Sequence, residues 1–327
     1  MSEQTTSSGT AAIADTRNRT CIEESAWPVM VLAHNEERHI GACLDSIYES
    51  EPGRAFDVFV MANGCTDRTE EIVRRYAETR PGIHLVSIAL GDKCNAWNVF
   101  IHETMPRHAP SRAIYFFMDG DARIAAGSLS AMANALDRNA HAHAASAVPI
   151  SGRNARRDRD EIIERHGLVA NLYALRGSFA ERLASANVRI PLKLEGDDGL
   201  IGALVKWDLD PQCKVFDDLR IVPCADAGFA FDSMSLARPA DWKLYWKRAV
   251  RYGRRRYEFK LLGPRIEREG LSAMPRDITE LYADAARLRL MWDGVYTISN
   301  WVALRAMRSD GSIVARQLRD AARTKAN

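Results

Sequence analysis

Cysteine is scarce. Of 327 residues only six are cysteine, and Cys21, Cys43, Cys65, Cys94, Cys213 and Cys224 include no CxxC pair. That spacing offers no disulfide framework and reads as reduced thiols in a cytoplasmic chain. Long apolar runs are missing too. No stretch approaches the ~18–20 uncharged residues that a transmembrane helix requires, so no spanning helix is expected. The first residues are Ser/Thr-rich and lack the apolar core of a secretory signal peptide, and residues 1–25 are read as a flexible tail. Charge excess is absent: a net charge of +2 is too small for gross polyanion binding, and nucleic acid is not expected as a partner. No GxGxxG follows the first strand-like run and no GxxxxGK[ST] occurs anywhere, which argues against a dinucleotide enzyme and a P-loop NTPase.

What is present is a globular composition, 46% hydrophobic and 27% charged, in a chain long enough for one large α/β domain with additions or for two domains. Apolar runs alternate with amphipathic ones. Strand-like segments at 27–33, 56–61, 83–90 and 113–118 are separated by helix-like segments carrying Ile40, Cys43, Leu44 and Ile47, then Ile72, Val73 and Tyr76, then residues 96–105, with a further helix at 128–136. Strand alternating with helix predicts an α/β fold with a mostly parallel sheet and helices on both faces. Ligands of such sheets bind beyond the carboxyl ends of the strands. His34, Asn35, Glu36, Asn63, Asp67, Asp119 and Asp121 all follow strand ends. Asn35 and Asp67 would also serve as helix caps, but capping does not explain three polar loops arriving at one edge.

The fourth strand ends in Asp119-Gly120-Asp121. An acid pair at such a position is costly unless offset, and its hard oxygen ligands suit Mn²⁺ or Mg²⁺; a plain turn is the competing reading.

Taken in order, these loops resemble glycosyltransferase family 2, inverting nucleotide-sugar enzymes with the GT-A fold, from about Val29 to about Val205. The opening strand, Asn-Glu turn and helix of 29–44, the loop Asn63-Gly64-Cys65-Thr66-Asp67, the helix start Lys93-Cys94-Asn95-Ala96-Trp97-Asn98 and the Asp119-Gly120-Asp121 element each look like a motif of that family. Gly196-Asp197-Asp198-Gly199 resembles the family's acid-Asp motif, which implies Asp198 as catalytic base, with Asp197 the next choice. The resemblance implies that Ala33, Asn35, Glu36, Asn63, Asp67, Lys93 and Asp119 line the donor, that Asp121 and Asp119 hold the metal, and that the donor is a UDP, GDP or dTDP sugar. The sequence departs from the family at Ala62, where many members carry an aspartate that contacts uridine. Lys93 reads either as a phosphate partner or as a solvated lysine.

On the implied division, residues 26–235 form the catalytic domain, with a nucleotide-sugar half at 26–122 and an acceptor half at 123–235, and residues 236–327 form a helical extension. Within the second half, the mixed-charge run 151–161 reads as a solvated loop, with a lid carrying Arg156 or Arg157 as the alternative. In 242–260, Trp242, Tyr245, Trp246, Ala249, Val250 and Tyr257 share one helical face and Lys243, Lys247, Arg248, Arg251, Arg254 and Arg255 the other. Packing against the catalytic domain is the favoured reading, with peripheral contact at the inner face of an anionic membrane, natural for a lipid-linked rather than a free carbohydrate acceptor, as the other. Arg254, Arg255 and Arg256 faintly resemble the family's Gln-x-x-Arg-Trp motif, with Gly253 in place of glutamine, which would put them on phosphate or acceptor. Beyond Pro264 a new helical region is expected, with Leu281, Ala285, Leu288 and Trp292 on one face and Trp301 as a packing anchor. It would cover the acceptor cleft, dock on a membrane or form a homodimer contact. The expected activity is metal-dependent inverting sugar transfer, in cell-envelope polysaccharide or glycolipid synthesis. A nucleotidyltransferase and a non-catalytic sugar-nucleotide binding protein are the rivals.

Overall fold

Strand β1, Trp27–Ala33, is buried along both of its faces from Pro28 onward. Val29, Val31 and Ala33 enter one core, while Met30 and Leu32 enter the other. Successive strand side chains point to opposite faces, so a strand covered on both sides needs an unbroken apolar run rather than an alternating one. The structure is a computed structural model that describes residues 26–232 and 239–326; the expected tail at 1–25 lies outside the described residues.

After β1 come helix α1 (Ile40–Ser50), β2 (Phe56–Asn63), α2 (Thr69–Thr79), β3 (Ile83–Ile88) and α3 (Lys93–Val99). The helical path of α3 continues through a π turn at Phe100–Thr104 and closes at Met105–His108. Next follow β4 (Ile114–Asp119), the short β5 (Arg123–Ile124), α4 (Ser128–Arg138) and β6 (Ala144–Pro149). Helix α5 (Ala155–Arg165), β7 (Leu172–Arg176), α6 (Gly177–Ser185), α7 (Asp197–Lys206) and β8 (Ile221–Ala230) complete the sheet-bearing part. The C-terminal part holds a long helix α8 (Pro239–Glu269), a 3-10 segment (Ile278–Arg287) and α9 (Thr297–Ala326).

One eight-stranded sheet has the order β3-β2-β1-β4-β7-β6-β8-β5. It is parallel from β3 to β4, as expected, but β7 pairs antiparallel with both β4 and β6, and β5 pairs antiparallel with β8. The sheet is therefore mixed. The antiparallel β7 arises because Leu172–Arg176 re-enters between β4 and β6, stacking Tyr173 flat on Phe117 with ring centres 4.7 Å apart. The Tyr173 hydroxyl accepts from the indole of Trp97 at 2.9 Å, which fixes α3 against this half of the sheet.

Several expectations fail in instructive ways. The run 151–161 is largely helical, not a loop: its Arg, Glu and Ala content favours helix, and only Ile162 of α5 is buried. Pro264 does not begin a new region but lies inside α8, where it is exposed, so the carbonyl it leaves unpaired faces water. Trp292 is 84% exposed and Trp301 48%, so neither anchors a core. Leu281 and Ala285 are buried as expected, and together with Tyr257, Leu262, Ile266, Ile278 and Tyr282 they share one core with Trp97 of α3 and Phe117 of the sheet. The face expected to pack in 242–260 is divided: Trp242 and Trp246 are exposed along with Lys243 and Lys247, whereas Val250 and Tyr257 pack on the core.

Candidate active site

Asp119 is the last residue of β4 and stands in register with Leu32 of β1. The next amide, of Gly120, donates to the Leu32 carbonyl at 2.7 Å. A Cβ on Gly120 would lie 2.9 Å from that same oxygen, so only glycine lets the chain turn here and put a carboxylate on either side. Burial raises the pKa of Asp121, and the Asp119 charge raises it further. Burial also raises Glu36, against a hydrogen bond from His39, and the charges of Asp121 and Asp119 add to the rise. Three acids thus share one electrostatic neighbourhood at the ends of β1 and β4. His39 Nδ1 lies 2.9 Å from Glu36, and His39 Nε2 lies 3.7 Å from Asp232.

Lys93, the first residue of α3, bridges this acid pair to a second one. Its Nζ is 2.9 Å from Asp119 Oδ1 and 3.5 Å from Asp197 Oδ2. Burial alone would lower the Lys93 pKa, but Asp119 and Asp197 outweigh it and hold the ammonium charged. Lys93 is therefore not a plain solvated lysine; it is the cation between two carboxylate motifs.

Asp197 opens α7 and is buried, and Asp198 follows it. Burial raises the Asp198 pKa, while the Arg255 guanidinium, 3.2 Å away, works against that rise. Gly196 has φ +87°, and a Cβ there would lie 2.4 Å from Arg255 Nε, so backbone conformation and close approach both require glycine. Helix α8 grips the preceding residue as well: Arg251 Nε donates to Glu195 at 2.9 Å, and the Glu195 amide donates to Glu258 at 2.8 Å. On the other side, α3 holds the approach to Asp197. Asp92 accepts from the amides of Asn95, at 2.9 Å, and Lys193, at 2.7 Å. Asn98 donates to the Ile190 carbonyl at 2.8 Å and accepts its amide at 3.0 Å.

The expected donor loops converge, with much of their polarity spent on holding one another. Asn63 is buried and donates to the Ala33 carbonyl at 2.8 Å, locking the ends of β1 and β2 together, and the Asn63 carbonyl is 2.6 Å from His34 Nδ1. Asn35, at φ +57°, accepts from the Thr66 amide at 2.8 Å. Asp67 accepts from the amides of Thr69 and Glu37, each at 3.0 Å, and from the Thr69 hydroxyl, and these hydrogen bonds overcome burial to lower its pKa. Asp67 is thus a two-loop cap. Of the three arginines, Arg255 faces Asp198, Arg256 is held by Asp293 and Asn300 at 2.8 Å each, and Arg254 is half-buried near Glu258. Arg255 therefore does not belong to a solvated basic face. The sequence carried no spacing signal for the Glu195, Arg251 and Glu258 contacts, which join segments more than 50 residues apart.

Asp119 and Asp121 present hard oxygen donors with incomplete charge compensation, which fits a divalent cation. Among the described residues no three His, Cys, Asp or Glu side chains group into a closed metal cage, so a cation here would draw further ligands from solvent or a bound phosphate.

Residues 29–187 match the model described as "Glycosyl transferase family 2". No curated protein matches the chain in sequence. Among solved structures, the chain is similar to the mannosyltransferase PcManGT of Pyrobaculum calidifontis, in complex with GDP-Man and Mn²⁺, at 19% identity and TM-score 0.54, covering 92% of this chain and 93% of that one. It is less similar to S. aureus TarS 1-349 in complex with UDP-GlcNAc, at 15% identity and TM-score 0.46 over 90% and 92% of the two chains. The glucosyl-3-phosphoglycerate synthase of Mycobacterium tuberculosis in complex with phosphoglyceric acid follows at 19% identity and TM-score 0.45, covering 72% and 82%. The fold is the expected GT-A arrangement.

Proposed function

The segment 29–187 is a glycosyl transferase family 2 domain and the chain a glycosyltransferase, and from that premise we propose that it moves a sugar from a nucleoside diphosphate donor to an acceptor hydroxyl with inversion at the anomeric carbon. The observation that carries this reading is the chain of charge Asp119, Lys93, Asp197, with Asp198 beside it on Arg255. It joins an acid motif at the end of β4 to one at the start of α7. The complex of the Pyrobaculum calidifontis enzyme with GDP-Man and Mn²⁺ supports the same donor class and metal.

Asp198 is the general base. It takes the proton of the acceptor hydroxyl as that oxygen attacks the anomeric carbon, and the bond to the diphosphate breaks with its electron pair leaving on phosphate oxygen. Attack from the face opposite the leaving group inverts the configuration. A carboxylate whose pKa is raised is a better proton acceptor than an ordinary aspartate, provided it is ionised at working pH. Asp121 with Asp119 would hold Mn²⁺ or Mg²⁺, which when bound supplies positive charge to the leaving diphosphate. Lys93 keeps Asp119 and Asp197 in fixed relation. The test is Asp198→Asn: donor binding retained and transfer reduced by ~10²–10⁴-fold, the usual contribution of a positioned base. Wild-type turnover in that variant would move the base elsewhere, with Asp197 next.

We also propose that the start of α8 docks on an anionic membrane surface. Trp242, 61% exposed, and Trp246, 47% exposed, sit among exposed Lys243, Lys247 and Arg248, the aromatic and basic mixture that a headgroup layer receives. No described helix is long and apolar enough to cross a membrane.

A further inference from the structure

Arg153, from the turn after β6, faces Tyr245, Arg248 and Tyr252 of α8 across a cavity of about 770 Å³ that Phe231 and Tyr296 also line. A space of that size suits a sugar-sized ligand. Its position is telling. Phe231 precedes Asp232, which pairs with Arg123 at 2.8 Å and reaches His39 beside Glu36 at 3.7 Å. Arg251 and Arg255, on the same turns of α8 as Arg248 and Tyr252, hold Glu195 and Asp198. The cavity therefore adjoins, through Phe231 and α8, segments that also reach the strand-end acids and the base.

The charges in it are not balanced. Arg157 is paired with Asp158, Arg256 with Asp293, and the third lining carboxylate, Glu161, with Arg165 outside the cavity. Among the described residues Arg153 and Arg248 meet no carboxylate; Arg153 Nη2 is 3.5 Å from the Tyr245 hydroxyl and Arg248 Nε is 2.8 Å from the Tyr252 hydroxyl. A guanidinium carries five N–H donors, so one phenol leaves most of its capacity and all of its charge unspent. Tyrosine rings beside them offer an apolar face to the C–H side of a sugar and a hydroxyl to its polar rim. We propose that this cavity receives an acceptor bearing a phosphate group, with Arg153 and Arg248 on the phosphate and the tyrosines on the carbon skeleton. A phosphate monoester carries about −1.5 to −2 at neutral pH, which two guanidinium groups match, and arginine binds such oxygens in bidentate fashion. The word acceptor rests on the glycosyltransferase reading above.

The test uses the full chain in metal-free buffer, so that strand-end acids do not recruit phosphate through a cation. Calorimetric titrations with glucose 6-phosphate and with farnesyl phosphate in neutral detergent micelles are compared with glucose and farnesol. The wild type is expected to bind a phosphorylated probe and not its uncharged partner, and the double variant Arg153→Gln, Arg248→Gln to lose at least tenfold in affinity. Both side chains are exposed, and an unchanged melting temperature would show the variant folded. Preference for the soluble probe assigns a free sugar phosphate and preference for the prenyl probe a lipid-linked one; each supports phosphate recognition. Failure of both probes to bind, equal binding by the double variant, or equal binding of the uncharged partners overturns the proposal. Mn²⁺-dependent binding of UDP or GDP by the wild type tests the glycosyltransferase reading separately. Nucleotide binding without phosphate binding overturns the cavity assignment alone, and the reverse overturns its role as an acceptor site.

Discussion

Asp198 is half-buried and faces a single guanidinium, and the balance between those two influences is measurable. Burial raises its pKa and Arg255 lowers it. The rate should therefore climb with pH as Asp198 ionises, with a midpoint above the ordinary aspartate value of ~3.9. Arg255→Gln removes the opposing charge and should move that midpoint higher still, along with a fall in the limiting rate. A pH profile of kcat/KM in both proteins checks this, and an unmoved midpoint would detach Arg255 from the base. Gly196→Ala should lower transfer far more than nucleotide affinity, because its methyl group meets Arg255 and its φ is +87°. At this scale the acids were legible: Asp119, Asp121 and Asp198 each sit in a short motif. Arg255 was named only as one of three arginines for phosphate or acceptor, and its place on Asp198 was not legible, because only the approach of α8 to the Asp197–Asp198 turn reveals it.

Among the elements, α3 and α8 clamp the segment between Ile190 and Asp198 from two sides. Asn98→Ala would leave the buried amide and carbonyl of Ile190 unpaired, a cost of about 2 to 6 kcal/mol for two such groups. Urea denaturation would read it as a lowered midpoint, with reduced transfer because the base loop loses its hold. On the α8 side, Glu258 is fully buried between the Tyr282 hydroxyl and the Glu195 amide, and burial pushes its pKa from 4.5 up to about 7. The unfolded chain releases this proton near 4.5 and the folded one near 7. The neutral form thus favours the fold below pH 4.5, and stability falls as pH rises through 7, by an amount on the order of 3 kcal/mol. Glu258→Gln should raise the melting temperature at pH 8 relative to wild type and do little at pH 4.5. An equal shift at both pH values would contradict this account.

Apolar runs made β1, β2 and β4 readable, since strands covered on both faces need them. The helix at Ala155–Arg165 was hidden by its charge, because an exposed helix and a solvated loop share a composition. Helix α8 ran past Pro264 because that residue faces water. The helix start at Lys93–Asn98 was recognised as a motif, but the clamp made by Asn98 on Ile190 spans 92 residues and leaves no local pattern.

For the whole molecule, the exposed tryptophans of α8 and the exposed Trp292 and Trp301 give the C-terminal part a surface that the core does not explain. Liposome flotation at low salt should retain the protein on anionic but not on zwitterionic vesicles, and Trp242→Ala with Trp246→Ala should weaken that retention. Absence of retention would remove the membrane reading and leave the catalytic one standing. The central claim is that the acids at the end of β4 bind a nucleoside diphosphate through a divalent cation. Calorimetric titration of UDP and GDP, with and without Mn²⁺, into the wild type and Asp121→Ala tests it most directly. The wild type should bind one nucleotide tightly only when Mn²⁺ is present, and the folded variant should lose that dependence; unchanged Mn²⁺-dependent affinity in Asp121→Ala would contradict the claim.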